Sequence, residues 1–98
     1  MYGLIGKINA VQGQRDALIS ILLESTQDMP GCLSYIVAQD SSDPNGIWIT
    51  EVWQDQTNHQ ASLTLPPVQQ AIEQGRPLIA GFGERYETQP INGYGLFK

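Results

Sequence analysis

Glu51, Trp53 and His59 bring an acid, a large ring and the chain's one imidazole close together in sequence. An imidazole titrates near neutrality, so His59 is suited to take a proton from a phenolic hydroxyl and leave an electron-rich anion. Its ordinary alternative is a histidine that caps or packs beside a hairpin. Period-two alternation puts Ile47, Ile49, Glu51 and Trp53 on one strand face. Glu51 is then an acid turned toward the interior, where it either orients His59 or takes a structural hydrogen bond from a helix N-terminus or an arginine. Trp53 is expected as a pocket wall able to stack on a flat ring, although a large ring at a strand end is more often core. Tyr35 offers a hydroxyl on the Leu33/Val37 side of its strand, within reach of a ligand oxygen, its ordinary alternative being a core tyrosine with one satisfied hydrogen bond, and Asn9 is a weaker candidate for binding oxygen or substrate. Cys32 has no second cysteine and no basic neighbour to lower its pKa, so it is expected as an inert thiol. Arg76 follows a helix and is expected to bond the last carbonyls or pair with an acid. No metal site is expected, because one histidine without a second His or a Cys pair at ligand spacing does not make one.

These residues need a scaffold. Cys32–Gln39 and Ile47–Trp53 read as strands joined by Asp40-Ser41-Ser42-Asp43-Pro44-Asn45-Gly46, a cluster of turn formers, which makes a hairpin with a long loop. A short helix over Asp55–Leu63 follows, with Asp55 as its N-cap and His59 one turn in. Upstream, Tyr2–Val11 is apolar on both faces, with Tyr2, Leu4 and Ile8 on one and Ile5 and Val11 on the other. From Gln14 to Met29, Leu18, Leu22 and Met29 fall on one line with Ile19 and Leu23 beside them, the pattern of an amphipathic helix. Pro30-Gly31 stops it. Pro66-Pro67 opens another helix, Val68–Gln74, closed by Gly75 and Pro77, and Phe82–Thr88 alternates as a last strand. The order βαββαβ is the ferredoxin-like split βαβ motif: an α+β fold with a four-stranded antiparallel sheet and both helical layers on one face. The other face is left open, with Val11, Trp48 and Val52 exposed on it in a single subunit.

Composition narrows the partners. A chain of 98 residues is one domain, which buries only roughly 60–65% of the surface its unfolded chain exposes, so a second subunit would help. The net charge of −5 comes from scattered acids, and five Lys and Arg spread along the chain form no basic stripe, so nucleic acid is not an expected partner. The single cysteine fits a reducing compartment. No segment approaches the ~18 apolar residues of a membrane span, and Met1–Lys7 lacks the features of a signal peptide. The expectation is a soluble cytoplasmic protein with no membrane partner.

Pro30-Gly31-Cys32-Leu33-Ser34-Tyr35, then Glu51-Val52-Trp53, then His59, resembles the antibiotic biosynthesis monooxygenase family, the small cofactor-free quinol monooxygenases, over nearly the whole chain. In that family the pattern links strand two, strand three and helix two. The resemblance implies a homodimer in which two sheets pack into a dimeric α+β barrel, each subunit keeping its own pocket between sheet and helices. It also implies oxygenation of a hydroquinone or polyphenolic aromatic by molecular oxygen with no cofactor, the substrate anion being the electron donor. His59 and Glu51 would be the catalytic pair and Trp53, Tyr35 and Asn9 the substrate-binding set. The chain departs from the family in two respects. The segment His59–Pro66 holds no second histidine of the "H-x-x-S-x-H" kind, which removes a two-histidine mechanism. The heme-degrading branch uses an asparagine early in strand one, a tryptophan within helix two and a later axial histidine, whereas this chain has only Asn9 late in strand one and neither of the others. The tail, residues 89–98, is expected to add to the dimer interface through Leu96 and Phe97. Two other functions fit the same scaffold: a non-catalytic barrel that binds a small apolar ligand, and a cofactor-free isomerase or lyase using His59 as proton shuttle. Oxygen uptake separates them from a monooxygenase.

Overall fold

The computed structural model describes residues 1–96. The chain runs β1 (Tyr2–Ala10), α1 (Arg15–Ser25), β2 (Cys32–Gln39), β3 (Gly46–Trp53), α2 (Gln56–Ser62), α3 (Pro66–Gly75), a 3₁₀ turn (Arg76–Leu78) and β4 (Ile79–Thr88). The sheet order is β2-β3-β1-β4, with every neighbouring pair antiparallel. This is the ferredoxin-like α+β fold, its second helical crossover divided between α2 and α3. Among the described residues no helix is long and apolar enough to cross a membrane.

The helix-facing residues of β3 are those that alternation assigns: Ile47 and Trp53 are fully buried and Ile49 nearly so. Ile47 and Ile49 join Ala10 of β1 and Leu18 of α1 in the core. Paired residues in an antiparallel ladder point to the same side, so the Tyr2↔Trp53 and Leu4↔Glu51 pairs carry the same face onto β1. In β2 a bulge between Cys32 and Ser34 adds a residue, and both Cys32↔Trp53 and Tyr35↔Glu51 then fall opposite helix-facing partners.

Several boundaries differ from the sequence expectation. Helix α1 ends at Ser25 rather than Met29, because the Ser25 and Thr26 hydroxyls both donate to the Leu22 carbonyl (3.1 and 2.7 Å) and occupy the acceptor that the next turn would use. Met29 is nonetheless buried. Helix α3 starts at Pro66, its prolines forming the first turn where no N–H is needed. Strand β4 starts at Ile79, paired with Ala10 across an irregularity in the β1–β4 register that simple alternation does not foresee.

The open sheet face is more polar than its apolar residues suggest. Lys7, beside Trp48 in the register, reaches Asp40 Oδ2 (3.4 Å) and Asp43 Oδ2 (3.1 Å), and the Trp48 indole N–H donates to Asp40 Oδ2 (2.8 Å). Arg15 of α1 donates to the Asp43 carbonyl (3.0 Å), which ties the hairpin loop to the first helix. Around this network Ile36 and Tyr86 remain 55% exposed, and Val11, just past the end of β1, is also exposed. Leu96 is half-buried, and Phe97, the other residue expected in a dimer interface, lies outside the described residues.

The turn into β2 and the start of α2 are fitted to each other. Gly31 has φ +80°, and a Cβ on it would lie 2.6 Å from Asn58 Cβ. Asn58 in turn donates its backbone and side-chain N–H groups to the Asp55 cap (2.8 and 2.9 Å). Gly31→Ala therefore meets both a left-handed backbone and a clash, and is expected to cost roughly 1–3 kcal/mol, lowering Tm by at least about 4 °C. An unchanged melting curve would refute the fit. The loop carries a pH signature as well. The Ser42 backbone N–H, then the Trp48 indole and Lys7, hold the Asp40 carboxyl at about 2, below its ordinary 3.8. Its folded pKa is depressed, so its stabilisation is complete above the ordinary value and lost as pH falls toward 2. Asp40→Asn should flatten stability against pH between about 4 and 2, which acid titration of the melting temperature measures.

Candidate functional site

A cavity of about 620 Å³ lies between the helix-facing side of the sheet and the helices. Its wall is mostly aliphatic, with Leu18 and Leu22 from α1, Val68 and Ile72 from α3 and Ile8 from β1. At the β2–β3 side stand Tyr35, Glu51, Trp53 and His59, which the sequence pattern singles out and the fold brings together.

Strand β3 ends in Glu51-Val52-Trp53, and the period of two leaves Glu51 and Trp53 side by side on the inner face. The Trp53 indole N–H donates to Glu51 Oε1 at 3.0 Å, and His59 Nε2 lies 3.9 Å from the same oxygen. That distance is within ion-pair reach and beyond a hydrogen bond. Burial raises the Glu51 carboxyl above the ordinary carboxylate range, against the opposing pull of the Trp53 N–H and of positive charge at His59 and Arg85. The imidazole is held by its neighbours: the Trp53 ring meets it edge-on with centroids 5.4 Å apart, and the Tyr2 ring is tilted against it at 5.6 Å. Helix α2 sets its height, since the Asp55 cap fixes where the helix begins.

Tyr35 pairs with Glu51 in the register, and burial first, then the negative charge of Glu51, pushes its phenol well above the ordinary range. Its hydroxyl stays protonated and has no hydrogen-bond partner among the described residues, which leaves it free to donate to an oxygen atom of a ligand in the cavity. Cys32 is half-buried, its thiol raised mainly by burial and its Sγ 3.5 Å from the Ser34 carbonyl. It does not line the cavity.

Asn9 does not belong to this site. It is out of phase with Ile8 and Ala10, pairs with Gly46 and Gly81, and lies on the sheet face opposite the cavity, so the substrate-binding role expected for it is corrected. Tyr2 is the contact that sequence reasoning missed. Its phase with Leu4 is visible in the sequence; that it sits opposite Trp53 and against His59 depends on the β1–β3 register. Its hydroxyl donates to Glu87 Oε2 of β4 (2.9 Å) and fastens the ring from the far side. Among the described residues no three His, Cys, Asp or Glu side chains converge as a metal site would require.

The site thus combines a shielded carboxyl, an imidazole clamped between two rings and an unpartnered phenol on an apolar cavity, a set suited to binding an aromatic hydroxyl and moving its proton. No curated protein matches the chain. Among solved structures, a Chloroflexus aurantiacus protein classed with the antibiotic biosynthesis monooxygenases is 62% identical, with 97% of each chain covered and a TM-score of 0.94. A Deinococcus radiodurans protein of the same class is 27% identical over 95% of each chain, with a TM-score of 0.78. A Pseudomonas aeruginosa protein at 20% identity and TM-score 0.80, covering 93% of this chain and 94% of that one, shares the fold. Residues 1–74, which hold β1 to β3, α2 and nearly all of α3, match the family described as Antibiotic biosynthesis monooxygenase, and the chain belongs to that family.

Proposed function

We propose that this protein is a cofactor-independent monooxygenase that oxidises a hydroquinone or polyphenol with molecular oxygen. The observation that carries the reading is His59, held between Trp53 and Tyr2 beside the Glu51 carboxyl at the wall of an apolar cavity. Family membership and the 62%-identical relative support a monooxygenase-like role at the coarser level. In the proposed reaction His59 takes a phenolic proton, and the anion so formed reduces oxygen. One oxygen atom ends on the ring and the other leaves as water, so a hydroquinone plus O₂ gives a hydroxyquinone plus H₂O, every electron coming from the substrate. Tyr35 donates to a substrate oxygen, Trp53 shapes the ring's berth, and Glu51 orients the imidazole and favours its charged form after proton transfer.

The working unit in this reading is a homodimer formed through the open sheet face. Exposed Ile36 and Tyr86 there, beside Trp48 and Val52, are what a second sheet would cover. Its interface is expected to bury on the order of 2,000 Å² in total, and sedimentation equilibrium showing a monomer at micromolar concentration would rule it out.

General-base help is typically worth ~10²–10⁴-fold, so His59→Ala should lower the rate of oxygen consumption with naphthohydroquinones by about that factor while leaving the assembly intact. A wild type no faster than buffer, or a His59→Ala variant as fast as wild type from about pH 6 to 8, would refute the assignment. Glu51→Gln should lower the rate less. It should not destabilise the fold at neutral pH: a carboxyl whose folded pKa is raised lends stability below its unfolded value and loses it as pH rises through the carboxylate range. The amide keeps an acceptor for the Trp53 N–H and removes that loss, so melting curves of Glu51→Gln should vary less with pH on the acid side than those of wild type.

A further inference from the structure

The cavity has a second end. Glu51 is in register with Leu4 of β1, whereas Ile79, at the start of β4, is in register with Ala10. At roughly 3.3 Å per strand residue these two levels lie about 20 Å apart along β1. Both Glu51 and Ile79 line the one cavity, which is therefore long, and Arg76 in the 3₁₀ turn just before Ile79 stands at its far end.

Arg76 is an unusual cation in this molecule. Lys7 is held by Asp40 and Asp43, Arg15 by the carbonyls of the hairpin loop, and Arg85 by Glu87 (3.6 Å), while Lys98 lies outside the described residues. The Arg76 guanidinium takes neither role expected from sequence. Among the described residues it makes no side-chain hydrogen bond to the carbonyls ending α3 and no ion pair with any acid, although Glu73 shares its side of the molecule. Only its backbone N–H caps the helix, at the Ile72 carbonyl. Exposed, beside an apolar rim that includes Leu63, Ile72 and the 75% exposed Phe82, it offers planar, paired donors of the kind that bind a carboxylate.

We infer that Arg76 is an anion-recognition point at the mouth of the cavity, and that the preferred ligand is an elongated amphiphile with an oxidisable aromatic ring at the Glu51–His59 end and a carboxylate at the Arg76 end. The aromatic head rests on the function proposed above; the recognition of an acid at the rim does not depend on turnover. The experiment is anaerobic equilibrium binding, followed by quenching of tryptophan fluorescence, of an octanoic acid bearing a hydroquinone ring on its terminal carbon, compared with its methyl ester and with the corresponding acetic acid, too short to span the cavity. Wild type should bind the long acid roughly threefold to fivefold more tightly than its ester, the scale of one solvent-exposed charge pair. The preference should shrink with added salt, vanish in Arg76→Gln, persist in Arg76→Lys, and be absent for the short acid. Equal binding of long acid and ester by wild type, or a preference undiminished in Arg76→Gln, overturns the inference. Oxygen consumption by the same compounds is read separately: binding preference without turnover sustains the recognition site and counts against the monooxygenase reading alone.

Discussion

The hydrogen bond from the Trp53 indole to Glu51 is the contact on which the rest of the site depends. A carboxyl on the helix-facing side of a central strand loses water on folding and needs a donor. Trp53, two positions on in the same strand and 1% exposed, supplies one without any loop or separate element to bring it. The same ring then forms the edge against which His59 packs. One buried side chain thus fixes the acid, positions the imidazole and closes the wall of the cavity. The arrangement is rigid because Trp53 is itself locked by its place in the ladder, opposite Tyr2 on one side and Cys32 on the other.

The two faces of the sheet solve the problem of buried polarity differently. On the inner face, donors are scarce and burial raises the carboxyl of the acid. On the outer face the hairpin loop supplies Asp40 and Asp43, backbone N–H groups from Ser42 and Asn45 donate to their oxygens, and Lys7 bridges the pair. The Asp40 carboxyl is held low there while Glu51 is raised, though only the thickness of the sheet separates the two faces. Solvation and donor count decide the sign in each case.

Much of this was legible in the sequence. Period-two alternation in Ile47–Trp53 is unbroken, so the inward direction of Glu51 and Trp53 follows from residue types alone, and the Asp55 cap places His59 within a turn of the strand end. What stayed hidden depends on interactions between distant segments. Tyr2 reaches His59 through the β1–β3 register, which no local pattern encodes, and the same alternation that places Ile8 and Ala10 inward turns Asn9 away once the strand's inner face is known. The early end of α1 rests on two hydroxyls competing for one carbonyl, a contest that apolar periodicity does not register. Arg76 could be placed after a helix, but that its guanidinium has no partner among the described residues is a fact of three dimensions.

The sheet order has a kinetic corollary. β1 lies between β3 and β4, so the chain's earliest strand is paired on one side with its latest, and Leu4 meets both Glu51 and Glu87. Closing that pair means bringing together segments at nearly the greatest separation the fold contains, the kind of non-local contact that slows folding of mixed α/β domains. Until β4 docks, β1 is an edge strand with unsatisfied backbone groups, open to pairing with another chain. The wall formed by Ile79, Gly81 and Phe82 is missing in the same interval. Docking of β4 therefore completes the cavity wall and covers that edge in one step, and a molecule with the cavity closed is also one whose first strand is paired on both sides.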